Sequence, residues 1–158
     1  MATPGATPVG IDAKPAYTLR VTFAYRGEKI ELAGSRRVRM IAPPPVAAAP
    51  EKGQSGYWFE VRDAAGKLLF HRAVHNPVRV DVEVFANDRK QSITRVPIAE
   101  PHGEFEVLVP DLPAAASFVL HGPPANVEMQ GAPAQPLVTL GFDELRRASG
   151  DTPTREGR

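Results

Sequence analysis

The sequence predicts an all-β fold, an antiparallel β-sandwich of about seven to nine short strands. Three observations carry this. Apolar and polar residues alternate over many short runs, which is the period of a half-buried strand. The chain holds 17 Pro and 13 Gly, too many for a helical bundle and suited to turns and sheet edges. No long helical period and no repeat of solenoid or propeller length interrupts the pattern. At 158 residues the chain has the length of one domain.

Residues 1–15 are mainly Ala, Thr, Pro and Gly and are expected to form a flexible arm, because they bury too little to offset ordering entropy. The sandwich is expected over residues 16–122. Its first strand, Tyr17 to Ala24, turns Tyr17, Leu19, Val21 and Phe23 inward, and Tyr25-Arg26-Gly27-Glu28 follows as a turn. The second, Lys29 to Ala33, turns Ile30 and Leu32 inward. Gly34-Ser35 marks a bulge or bend, after which Val38 and Met40 are set against Arg37, Arg39 and Ile41. Ala42 to Ser55 is a long connection whose three consecutive prolines favour polyproline II.

Gly56 to Phe85 carries the densest alternation and reads as three consecutive strands. Tyr57, Phe59 and Val61 take one face of the first, Trp58, Glu60 and Arg62 the other. Asp63-Ala-Ala-Gly-Lys67 suits a short hairpin, and Asn76-Pro77 breaks the second run at its end. In the third, Val78, Val80, Val82 and Val84 face one way and Arg79, Asp81 and Glu83 the other. Ser92 to Ile98 is an edge strand, because Pro97 cannot join a central ladder. Glu104 to Val109 and Ser117 to His121 form a closing hairpin across Pro-Asp-Leu-Pro. Phe59, Val61, Val80, Val82, Phe105, Val107 and Leu120 are expected to be buried together. Residues 123–148 are a Pro/Gly-rich loop followed by a last strand, Leu137 to Phe142, or by a helical turn that Asp143 would cap. Residues 149–158 are expected to be a disordered tail.

The strand GYWFEVRD, the segment FEVLVPDLPAAASFVL and the number of strands resemble the immunoglobulin-like or fibronectin-like modules of bacterial multi-domain and surface proteins, over roughly residues 16–122. The likeness implies two sheets joined by Greek-key crossings. The chain has no Cys, so the antibody Cys–Trp–Cys pattern is absent and Trp58 does not inherit the part of that family's core Trp.

Composition narrows the function further. Without Cys there is no disulfide, thiolate metal site or Cys nucleophile. A net charge of +1 gives no overall field toward nucleic acid or an anionic membrane. No apolar run has the length of a membrane span, and the first residues lack a basic-then-apolar leader. The expectation is a cytoplasmic protein, although a chain with its leader already removed would look the same. G-x-S-x-G, P-loop and G-x-G-x-x-G motifs are all missing. His71 and His75 spell H-x-x-x-H, which binds zinc on a helix. On a strand the two Cα atoms stand ~13 Å apart, too far for one ion, and the flanks favour a strand. Asp88 and Asp111 stand alone and make no calcium loop. Asp81 and Glu83 are expected to pair across strands with arginines such as Arg62 or Arg72. No metal and no cofactor are expected.

Two candidate binding features remain. Trp58 has the parity of the outer face, so its ring needs cover. The loop from Ala42 to Pro50 is expected to lie against the indole, with the C-terminal segment as the alternative cover; otherwise the ring is a sugar platform or a partner hot spot. Arg36, Arg37 and Arg39 form a small basic cluster, either a solvated face or a contact for a phosphate or an acidic partner. The resulting expectation is a non-enzymatic module that contacts a protein partner or a larger assembly. The alternative is a carbohydrate-binding module using Trp58 and Tyr25. A small hydrolase comes last, for want of a nucleophile, a metal motif and an acid pair.

Overall fold

A computed structural model of the chain describes residues 16–45, 53–75, 77–84, 93–123 and 131–150. Among them are nine strands: β1 (Tyr17–Arg26), β2 (Lys29–Arg39), β3 (Tyr57–Arg62), β4 (Leu68–Val74), β5 (Asp81–Val84), β6 (Thr94–Pro97), β7 (His102–Pro110), β8 (Ser117–Gly122) and β9 (Gln135–Gly141). One helix, α1 (Phe142–Ala148), follows. All strand pairs are antiparallel. They form a sheet in the order β2-β1-β7, a second in the order β4-β3-β8-β9, and a separate two-stranded ribbon, β5-β6. The expected arm at 1–15, the 151–158 part of the tail, Asp88 and residues 46–50 of the proline loop lie outside the described residues.

The two larger sheets share one core. β1 buries Leu19, Val21 and Phe23 from the first sheet, and β3 and β8 bury Phe59, Val61, Phe118 and Leu120 from the second. Phe118 joins them, its ring 5.7 Å from Phe23 and 5.5 Å from Phe59. Such offset aromatic contacts add to area burial. The core also runs past residue 122. Val138 of β9 and Phe142 and Leu145 of α1 belong to the same buried cluster. The segment read as strand or helix is therefore both in succession, and α1 closes one side of the two sheets. Its N-cap is Gly141 rather than Asp143, and the Glu144 carboxylate accepts from the Gly141 N–H at 3.3 Å.

Local chemistry explains the turns. Gly27, at φ 56°, allows the two-residue connection from β1 to β2. In the β3–β4 hairpin the Asp63 carboxylate accepts from the N–H groups of Ala65 and Lys67 at 2.9 and 2.8 Å, and Gly66 sits at φ 83°. This is the hairpin that Asp-Ala-Ala-Gly-Lys predicts.

Four expectations are corrected. First, Thr22 pairs with Gly34 but Phe23 pairs with Leu32, so Ala33 is an extra residue. That bulge inverts the parity of the second half of β2. Arg37 and Arg39 share the side of Leu19 and Tyr17, and Val38 lies across from Thr18 on the outer side. Second, β7 and β8 are not a hairpin. β7 pairs with β1, β8 with β3 and β9, so the Pro110–Ala116 connection crosses between sheets. Third, the described part of the Val-rich run, residues 78–84, is not one core strand. Val78 and Val80 are buried in a satellite cluster with Tyr25 and Tyr57, while Val82 and Val84 are 47% and 46% exposed. Fourth, Glu83 pairs with Arg95 at 3.6 Å, and Arg62 instead pairs with Glu60 at 3.0 Å. The chain leaves the sandwich after Val80, and among the described residues β5 pairs only with β6.

No helix among the described residues is long and apolar enough to cross a membrane.

Phe118→Ala should cost about 3–5 kcal/mol, the range for emptying a large aromatic site. Val82→Asp should cost less than about 1 kcal/mol, because the side chain already meets water. Urea unfolding of the two variants measures both, and a larger loss at Val82 would place that residue in the core.

Candidate functional site

The outer face of the four-stranded sheet carries Trp58, and its surroundings follow from strand register. Trp58 lies across from His121 of β8 on one side and Ala73 of β4 on the other. The indole stacks on the His121 ring with centroids 5.2 Å apart and an interplanar angle of 16°. Trp58 is only 8% exposed. Glu60, on the same face, is held at 3.0 Å by Arg62 and lies 3.5 Å from His121 Nε2. That last distance allows an electrostatic contact but not a well-formed hydrogen bond. Trp58 Nε1 and His121 Nε2 are buried and make no hydrogen bond among the described residues.

The parity assigned to Trp58 is thus the observed one, and His121 supplies cover for its ring. Within residues 42–45, the Pro44 carbonyl accepts from Arg72. Arg72 lies across from Phe59, on the opposite face of the sheet from Trp58. Tyr25 is 6% exposed, and its hydroxyl oxygen accepts from the Arg79 N–H at 3.2 Å. Neither ring named for sugar stacking presents an open face. His71 lies buried on β4, and His75 follows just past the end of that strand.

The basic cluster divides between two faces. Arg36 pairs in register with Arg20 on the outer side of the first sheet, and exposed Arg39 lies across from Tyr17 on the other. Arg37 is committed within the fold. Its guanidinium lies 3.7 Å from the Tyr17 ring centroid and its Nε 2.8 Å from Asp111 Oδ2. The other Asp111 oxygen takes Arg146 Nε of α1 at 3.0 Å, and Arg146 also donates to the Leu112 carbonyl at 2.7 Å. Asp111, an isolated acid in the sequence, is the joint between β2, the β7–β8 crossing and the helix. Planar guanidinium groups suit this shared grip on one carboxylate.

Exposed large apolar side chains among the described residues fall in two places, Met40 and Ile41 just past β2, at 36% and 81%, and the β5–β6 ribbon. Val82, Val84, Val96 and the neighbouring Ile93 are 47%, 46%, 42% and 54% exposed. Val82 lies directly across from Val96. Ile98 donates to the Val80 carbonyl at 2.9 Å, which extends the same register back to a buried residue. One face of the ribbon is therefore an apolar stripe, anchored in the satellite cluster at Val80 and open to solvent beyond it. The other carries Asp81, Glu83 and Arg95. A V-x-V-x-V run looks the same in sequence whether its valines meet a core or a partner. The one hint was Pro97, which marks a strand outside a central ladder.

No protein-family model, curated protein or solved structure matches the chain.

Two measurements check the commitments of Trp58 and Asp111. Parent Trp58 emission should be blue-shifted and poorly quenched by iodide. His121→Ala should shift it to the red, and replacing Pro43, Pro44 and Pro45 by Ser should leave it in place. The reverse pattern would put the proline loop over the indole. Asp111→Ala strips two arginines of their shared carboxylate and should lower stability by about 1–3 kcal/mol in thermal or urea unfolding. The arginines are about a third exposed, which keeps the figure below that of a fully buried pair.

Proposed function

We propose that the chain is a non-enzymatic, immunoglobulin-like β-sandwich module that binds a protein partner through the β5–β6 ribbon. The observation that carries the reading is the row of half-exposed valines on a ribbon that stands outside both sheets. Exposed β-branched residues are costly to leave in water, and contiguous ones mark contact surfaces. The charged residues on the reverse face of the ribbon suit the solvated side of such a contact.

The immunoglobulin-like part of the reading rests on strand pairing. The order β4-β3-β8-β9 has the pattern of the sheet that holds strands C′, C, F and G in that family, and the β1–β7 pair that of strands B and E. The chain departs from the family at β2. This edge strand follows its neighbour β1 in sequence, where the family places a strand that precedes it. The carbohydrate-binding alternative loses its support with the burial of Trp58 and Tyr25.

The test is position-specific photo-crosslinking. A photoreactive phenylalanine analogue is placed at Val82, and separately at Arg20 on the charged outer face, in extracts of the native cells. Val82 should give a protein adduct of discrete mass that Arg20 does not give. Excess unmodified chain should compete it away, and chain carrying Val82→Ser and Val96→Ser should not. Equal adducts at both positions, or none at Val82, would sink the reading.

A further inference from the structure

The two edges of the β5–β6 ribbon differ, and the difference specifies a partner. In an antiparallel ladder, the N–H and C=O of alternate residues point toward the paired strand and away from it. Ile98 donates to Val80, so Val80, Val82 and Val84 turn their peptide groups toward β6, and Ile98 and Val96 turn theirs toward β5. Asp81 and Glu83 then present their N–H and C=O groups at the outer edge of β5. On β6 the outward positions are Arg95 and Pro97, and Pro97 has no N–H to give. The β6 edge is blunted in the way natural edges are, and the β5 edge is not. Among the described residues no strand pairs with that side of β5.

We infer that the β5 edge accepts an added strand from a partner in which basic residues alternate with β-branched or aromatic ones. The inference rests on reading the ribbon as the docking surface and names what docks there. Three features of one edge converge. The outward peptide groups of Asp81 and Glu83, which no strand among the described residues takes, supply a ladder for a new strand. Val82 and Val84 continue an apolar stripe on one face, where the incoming side chains would pack as cross-strand pairs. Asp81 and Glu83 place two carboxylates on the other face. Glu83 has Arg95 on its β6 side at 3.6 Å, with both side chains at least half exposed, and Asp81 has only Pro97 across from it there. An incoming Lys or Arg at each acidic position meets opposite charge, and an acidic one meets like charge, which destabilises directly opposed pairs. An acidic–apolar strand is disfavoured by the same residues that favour the basic one.

The experiment is fluorescence anisotropy of short labelled peptides with the full chain. One peptide alternates Lys and Val, a second alternates Glu and Val, and a third is the Lys–Val sequence with N-methyl groups on the backbone edge that would face β5. The Lys–Val peptide should bind saturably, and the Glu–Val peptide about tenfold more weakly or worse. Asp81→Lys with Glu83→Lys should reverse that preference, with an unchanged unfolding curve showing that the fold is intact. N-methylation should abolish binding. Equal binding of the Lys–Val peptide to the parent and the charge-reversed chain would overturn the inference, as would undiminished binding of the N-methylated peptide. If no peptide binds while Val82 still gives its specific photo-adduct, strand addition falls and the ribbon remains a docking surface. If both fail, the ribbon itself falls as the site.

Discussion

The contact of Phe118 with both Phe23 and Phe59 is the interaction on which the rest of the molecule depends. The two larger sheets are each half apolar, and neither can stand without a second layer over its inner face. Phe118 sits in β8 between β3 and β9, and its ring reaches β1 across the gap. Phe59 carries the stack on to Phe70 of β4 at 5.8 Å, and Phe23 carries it to Phe105 of β7 at 5.5 Å. Five aromatic rings thus run from one side of the core to the other and fix the spacing between the sheets. Small changes of volume along such a row are felt at its neighbours, because interiors are close-packed.

Around this row, polar groups settle which segments cover the edges. Asp111 receives Arg37 from β2 and Arg146 from α1, so the helix is held against the edge strand of the first sheet while Phe142 and Leu145 reach the core. Thr18, fully buried on the outer side of β1, donates its hydroxyl to the Met40 carbonyl at 2.9 Å and pins the chain as it leaves β2. Glycine is used where an aromatic ring needs room. A Cβ on Gly122 would come within 2.4 Å of the Tyr57 ring, so only the bare backbone fits there.

Strand existence and local turns were legible because they are set by near neighbours. Alternation marks the strands of the two larger sheets, and Asp63 with Gly66 dictates its hairpin. Sheet membership was not legible, because it is a long-range choice. Nothing in FEVLVPDLPAAASFVL distinguishes a hairpin from a crossing, and the choice depends on β1 and β3 offering separate apolar edges. One extra residue, Ala33, inverted the parity of Val38, although Gly34 beside it had signalled the bulge. The candidate site followed the same rule. The outward parity of Trp58 could be read from β3 alone, but cover by His121 required the β3–β8 register. Val82 looked like core because alternation reports a two-faced strand and not whether its apolar face is covered.

The proline at the end of β6 also limits how the molecule associates with itself. Sheets grow into fibres only when every added unit offers a fresh competent edge. Here one edge of the ribbon can take a strand and the other lacks a donor where the next strand would need it. Two copies meeting through their β5 edges would set acid against acid, and the edges left outward would both carry Pro97. The ribbon has a beginning and an end. A chain that keeps half-exposed valines in water is thereby spared endless stacking.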